Sequence, residues 1–303
     1  MSKPFWSGVF PAITTQLKRD QSLDLDATAA HAEILIQSGV TGLVFLGSLG
    51  ENQPLRGEEK RRVIEAMVKA VNGRVKVLSG VAETSTAEAC RYARDVEKLG
   101  ADGVMLMPAM LYKGDPRETM AHFRTVAKAS GLPIMIYNNP ISYGNDLTPE
   151  MFAQLADEKK FVALKESSGD VRRITDLHNT VGDRYALFTG VDNLALEASI
   201  LGIDGWVAGS GIAFPHENQY FWELTRRGEW EKAREIYRWF TPLLHLDVSP
   251  KFVQYIKLAV QETGLGKEYV RAPRLVLAGE ERRRVLKVVR DGIQNRPKIP
   301  KRK

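Results

Sequence analysis

The chain has 303 residues, of which 44% are hydrophobic and 26% charged. That is an ordinary globular balance, with room for one large domain of about 250 residues and an appendage. It carries 43 basic and 37 acidic residues, for a net charge of +6. Much of the excess sits in Glu281-Arg282-Arg283-Arg284 and in the tail Arg296-Pro297-Lys298-Ile299-Pro300-Lys301-Arg302-Lys303. No helical stretch interleaves basic residues with aromatics, so nucleic acid is not an expected partner and the tail reads as a frayed, solubilising terminus. Cys90 is the only cysteine, which excludes an intrachain disulfide and a thiolate metal site. Met1-Ser2-Lys3-Pro4-Phe5-Trp6 lacks a signal-type apolar core, and no run of 18 apolar residues occurs. The expectation is a cytoplasmic protein without a membrane partner.

In chain order, Gly8-Val9-Phe10-Pro11-Ala12-Ile13-Thr14-Thr15 predicts a first strand. A helix follows from Leu23 to Ser38, with Asp24 and Asp26 near its start and Gly39 past its end. Leu43-Val44-Phe45-Leu46 is a second buried strand that runs into Gly47-Ser48-Leu49-Gly50-Glu51-Asn52. A helix spans Arg56 to Val71, and Val75-Lys76-Val77-Leu78-Ser79-Gly80 is the third strand. Thr84-Ser85-Thr86-Ala87-Glu88 reads as a capped helix start, with the end at Leu99-Gly100. Val104 to Pro108 is strand four, Arg117 to Ser130 a helix, and Pro133 to Tyr137 strand five. Phe161-Val162-Ala163-Leu164-Lys165 is the sixth strand, Tyr185 to Gly190 the seventh and Trp206 to Gly209 the eighth.

Strands alternating with helices call for a parallel sheet, and eight units in about 220 residues fit a closed (β/α)8 barrel of the α/β class. An internal repeat supports this. Gly39-Val40-Thr41-Gly42, Gly100-Ala101-Asp102-Gly103 and Gly202-Ile203-Asp204-Gly205 each join a helix end to an apolar strand. After about residue 225 the strands stop, and Glu229 to Leu246, Lys251 to Gly264 and Glu280 to Asn295 read as helices. We therefore expect a TIM barrel over residues 1–225 and a three-helix appendage over residues 226–303.

In such a barrel, chemistry gathers at the carboxyl ends of the strands. Lys165 ends a strand with four apolar residues before it. It is either a solvated strand-end cation or an amine aimed into a site, and the segment alone does not separate the two. As a nucleophile its pKa must fall from near 10.4 to about 7–8, which burial can achieve, and the neutral amine can then form a Schiff base with a ketone. Glu166 points to the opposite face of the strand and reads as a structural partner. Tyr137 ends the adjacent strand, as a proton shuttle or as a plain core tyrosine. The Gly47-Ser48-Leu49-Gly50 turn offers N–H groups and a hydroxyl to a carboxylate, or is simply a tight turn. There is no dinucleotide, P-loop or hydrolase-elbow signature, and the five histidines form no ligand pair, so neither a cofactor nor a metal is expected.

Together, Gly47-Ser48-Leu49-Gly50-Glu51, Tyr137-Asn138-Asn139-Pro140 and Lys165-Glu166-Ser167-Ser168-Gly169-Asp170 resemble the dihydrodipicolinate synthase / N-acetylneuraminate lyase family over essentially the whole chain. The resemblance implies a Schiff-base lyase that is usually tetrameric and acts on a small 2-oxo acid. It implies Lys165 as the Schiff-base lysine, Tyr137 as proton shuttle, and Ser48 with Gly47 and Leu49 as binders of the substrate carboxylate. Ser142, Gly190 and Val207 complete the expected substrate-binding set. The synthases have a second hydroxyl where this chain has Leu49, and an arginine where it has Ser142. Their tyrosine pair after the strand-four proline is replaced by Ala109 and Met110, with Tyr112 displaced.

Gly-Glu-Asn, Met-Pro-Ala-Met, Tyr-Asn-Asn-Pro and the segment Tyr237 to Asp247 look like the branch that contains 1-pyrroline-4-hydroxy-2-carboxylate deaminases. Dehydration and deamination of that cyclic imine is the leading expectation. The alternatives are the synthase reaction, a 2-keto-3-deoxy sugar acid aldolase, and a non-catalytic binding protein on the same barrel.

Overall fold

The computed structural model describes residues 5–300. Met1 to Pro4 and the last three residues of the basic tail lie outside the described residues, so the reading of that tail as frayed is not addressed there.

Eight parallel strands form one sheet: β1 (Gly8–Val9), β2 (Gly42–Phe45), β3 (Lys76–Val81), β4 (Gly103–Leu106), β5 (Ile134–Asn138), β6 (Phe161–Glu166), β7 (Ala186–Thr189) and β8 (Gly205–Trp206). From β2 to β8 each strand pairs with the next in sequence, and β1 pairs with β8. The barrel closes between β1 and β2 through a bridge of Ala12 to Val44, with Val44 N–H donating to Pro11 O and Ile13 N–H to Val44 O. The first strand is shorter than the eight residues expected. Pro11 has no N–H to give to a ladder, so regular pairing stops after Val9 and resumes only as the bridge.

Around the sheet run α1 (Leu25–Ser38), α2 (Gly57–Val71), α3 (Thr86–Lys98), α4 (Pro116–Ala129), α5 (Pro140–Tyr143), α6 (Pro149–Leu155), α7 (Arg173–Val181), α8 (Ala195–Ile200) and α9 (Pro215–Arg226). Then come α10 (Trp230–Leu244), α11 (Phe252–Glu262) and α12 (Gly279–Gln294). The starts follow the caps: Asp24 accepts from Ala27 N–H at 3.0 Å and Ser85 from Glu88 N–H at 3.2 Å. Gly39, Gly100 and Gly202 have φ of 95°, 86° and 92°. The left-handed turn that the repeated joint requires is therefore made at all three. Among the described residues, no helix is long and apolar enough to cross a membrane.

The barrel interior is filled by pairing large side chains with glycines. Phe10 and Phe188 meet ring to ring at 5.2 Å, although β8 separates their strands, so both point inward. A Cβ on Gly42 would lie 2.6 Å from the Phe10 ring, and one on Gly205 would lie 2.1 Å from Phe188. The register pairs Tyr137 with Lys165 and Lys165 with Phe188. Paired residues of parallel strands share a face, so Lys165 and Tyr137 also point into the barrel, among the interior aromatics.

Candidate active site

Lys165 is the fifth residue of β6 and only 6% exposed. Its Nζ lies 4.0 Å from the centroid of the Tyr137 ring. Burial lowers the amine pKa, and the acidic groups of Tyr143, Asp247 and Asp192 oppose that shift. Room for the side chain comes from Gly190, at the end of β7. A Cβ there would lie 2.2 Å from both Lys165 Cε and Ser167 Oγ.

Glu166 points away, as its place on the strand demands. It accepts from Asn138 Nδ2 at 3.0 Å and from Ser168 N–H at 2.5 Å, fixing the turn after β6 to the end of β5. Burial pushes its carboxyl pKa up.

Tyr137 is 6% exposed, and its hydroxyl accepts from Asn139 Nδ2 at 3.0 Å. Burial raises its pKa. Ser48 stands in the turn after β2, which closes through Glu51 N–H to Ser48 O (3.1 Å) and Asn52 N–H to Gly47 O (3.3 Å). Asn52 pins this turn by donating to Leu46 O at 2.9 Å and Gly80 O at 3.2 Å. Leu49 is buried within it.

Two groups of this set are joined by a residue the sequence reading did not single out. Tyr143 packs edge-on against Tyr137, with ring centroids 5.5 Å apart, and its hydroxyl makes a short hydrogen bond with Ser48 Oγ. Burial raises the Tyr143 pKa well above its usual value. It ends the one-turn helix α5, capped by Asn139 accepting from Ser142 N–H and closed by Gly144 at φ 75°. The signal was present as Asn139-Pro140-Ile141-Ser142-Tyr143-Gly144, a capped turn that ends in an aromatic. Tyr112, by contrast, is exposed and donates to Glu118 at 2.8 Å.

One cavity of about 1090 Å³ brings together Lys165, Tyr137, Ser48, Leu49, Gly47 and Tyr143. Ser142, Gly190 and Val207 line it as well, so every residue named from the sequence reaches the same space. Also in its wall are groups that sequence reasoning left unassigned. Asp247 and Phe252 border it, and so does Arg274, which is held 3.7 Å from Glu51. Asp192 lies behind the wall, fully buried. It accepts from Trp206 Nε1 at 3.0 Å, Gly209 N–H at 3.0 Å and Ser210 N–H at 2.5 Å. The segment after residue 226 is therefore more than packing on the barrel, because it supplies part of the cavity wall. Nothing in local sequence patterning predicts that a distant helical segment folds back over the strand ends.

A buried amine against an aromatic ring, in an eight-stranded barrel with a hydroxyl relay at its mouth, is the architecture of a class I lyase or aldolase. The chain belongs to the dihydrodipicolinate synthetase family, whose model matches residues 5–291. It is 31% identical over 271 residues to the 4-hydroxy-tetrahydrodipicolinate synthase of Methanospirillum hungatei, covering 88% of this chain and 93% of that protein. It is also 31% identical over 282 residues to the probable 2-dehydro-3-deoxy-D-pentonate aldolase YjhH of Escherichia coli K12, covering 91% and 93%. Among solved structures, the prophage protein YagE of E. coli K12 superposes with a TM-score of 0.90 at 26% identity, covering 95% of this chain and 99% of that one.

Proposed function

We propose that this enzyme dehydrates and deaminates a cyclic imine of the 1-pyrroline-4-hydroxy-2-carboxylate type through a Schiff base on Lys165. What carries the reading is the make-up of the cavity wall. Where the synthases use a second hydroxyl and an arginine, this wall has Leu49 and Ser142. The other cation lining it, Arg274, is drawn toward Glu51. One carboxylate can then be held by the Ser48 turn, but a second finds no dedicated partner.

In this mechanism the neutral Lys165 amine attacks C2 of the imine. The ring opens to leave the Schiff base on Lys165 and a free amine at C5. Tyr137 takes a proton from C3 to form the enamine, and Ser48 and Tyr143 extend that proton path. The C4 hydroxyl leaves as water. A proton then moves from C5 to C3, and the C4–C5 enamine so formed is protonated at C4 to give an imine. Hydrolysis of that imine at C5 releases ammonia, and hydrolysis at C2 frees Lys165 with 2-oxoglutarate semialdehyde. One water is lost and two are consumed, so the reaction balances with a net uptake of one. Burial of Lys165 favours the neutral amine that the first step needs.

The aldolase and synthase alternatives draw on the relatives' names, and YagE is described in complex with pyruvate. A substrate panel separates the readings. Ammonia release from the pyrroline alone supports the deaminase. Turnover of keto-deoxy sugar acids, or of pyruvate with aspartate semialdehyde, replaces it. Borohydride reduction with pyruvate should leave a mass adduct on Lys165, and Lys165→Ala should abolish both adduct and turnover. An unmodified lysine would leave only a binding protein.

The same reading includes a cytoplasmic homo-oligomer, a tetramer by family likeness. The exposed apolar residues Leu111, Tyr112 and Ile141 support a partner surface, which sedimentation equilibrium would measure.

A further inference from the structure

Asp247 lies in the short turn His245–Val248 that follows α10. That turn crosses the end of β8. A Cβ built on Gly209 would lie 2.4 Å from Asp247 Oδ1 and 3.4 Å from Asp192 Oδ2, so both carboxyls crowd the same glycine. Asp247 is partly exposed and faces the cavity that holds Lys165. The two acids have unequal surroundings. Asp192 is satisfied by an indole N–H and two backbone N–H groups. No side-chain donor among the described residues reaches Asp247. Two carboxyls that share one site do not both ionise, and the charge settles where the donors are. Asp192 therefore holds the negative charge and Asp247 the proton. Burial and the Asp192 charge both push the Asp247 pKa well above its usual value.

A protonated carboxyl with no side-chain partner, lining a Schiff-base cavity, is an acid in search of a leaving group. We infer that Asp247 is the general acid that protonates the hydroxyl leaving C4 of the ring-opened substrate. The inference rests on the deaminase reading above. In the step, the enamine nitrogen lone pair restores the C2 iminium and the C2–C3 π pair moves to C3–C4. The C4–O bond breaks, and the oxygen departs with the Asp247 proton as water. Asp247 is left as a carboxylate beside the backbone N–H of Asp192, and solvent reprotonates it after release. No oxidant or reductant is needed. Tyr137 and Tyr143 serve the C3 proton, so the two proton transfers use separate groups.

The test compares Asp247→Asn with the unaltered enzyme on 1-pyrroline-4-hydroxy-2-carboxylate and on its 4-chloro analogue, whose chloride departs without a proton. We expect ammonia release from the hydroxy compound to fall about 100- to 1000-fold, as for loss of a general acid. The loss on the chloro compound should stay under about tenfold, and borohydride should still trap pyruvate on Lys165. Equal losses on both substrates, or no loss on either, overturn the assignment. An unaltered enzyme that traps pyruvate but releases no ammonia from the hydroxy compound sinks the deaminase reading, and Asp247's role with it. If the unaltered enzyme does release ammonia, equal losses on both substrates or no loss on either sink Asp247's role alone.

Discussion

Lys165 has its amine over the Tyr137 ring because Gly190 has no side chain. Any other residue at 190 would put a methyl-sized group 2.2 Å from Lys165 Cε, well inside contact distance. The lysine must then swing off the tyrosine or β7 must shift. Gly190 stands in the sequence reading among the substrate-binding residues, and the geometry gives it a further task in seating the lysine. Misplacing a reacting group by about 1 Å can cost on the order of 100-fold. Gly190→Ala is expected to lower kcat/KM by at least about that factor and to slow borohydride trapping of pyruvate. Far-ultraviolet circular dichroism should remain that of the unaltered barrel. Unchanged trapping would mean that the lysine finds its place without the glycine.

Among elements, the joints were the most legible part. A glycine with positive φ ends α1 and stands in the loops before β4 and β8, because a helix that must turn back into a strand has few other ways to do so. The strand ends were legible only in company, since Lys165 alone reads equally as a solvated cation, and it was the Tyr137 and Ser48 ends of other strands that gave it partners. What stayed hidden is what long-range packing decides. Tyr143 acquires its place only when α5 folds against Ser48, and Asp247 only when the turn after α10 reaches Gly209.

Between α11 and the β2 turn lies another such contact. Lys257, fully buried on α11, donates to Glu51, which is 1% exposed and sits in the turn that carries Ser48. Glu51 also accepts from Arg271 N–H at 2.9 Å. Burial lowers the Lys257 pKa against the pull of Glu51. Removing one partner of a buried pair leaves an uncompensated charge. Lys257→Met is therefore expected to lose about 3–5 kcal/mol of stability in urea unfolding. A loss below about 1 kcal/mol would show that Arg271 and Arg274 suffice for Glu51.

At the scale of the whole molecule, the first and last units of the barrel are locked by one histidine. His31 of α1 is fully buried, and its Nε2–H donates to Ile212 O at 2.9 Å, in the turn after β8. Its Nδ1 is buried without a partner, so a proton there would be a charge without compensation. Burial accordingly lowers the imidazole pKa from 6.5 to about 4. The unfolded chain therefore takes up this proton below about pH 6.5, and the folded one only below about 4. Between those values the unfolded state binds more protons, so stability rises with pH across the window. The contribution is present in full above about 6.5 and falls by about 3 kcal/mol as the pH is lowered to 4. His122 is buried and also lowered, so it adds a slope of the same sign. Comparison with His31→Gln, which keeps an N–H donor for Ile212 O, isolates the one residue. Urea unfolding of the unaltered chain should lose stability between pH 6.5 and 4.5 by about 1.4 kcal/mol per pH unit more than the variant does. Parallel curves would mean that the folded chain opens enough around α1 and the β8 turn to protonate His31 without unfolding.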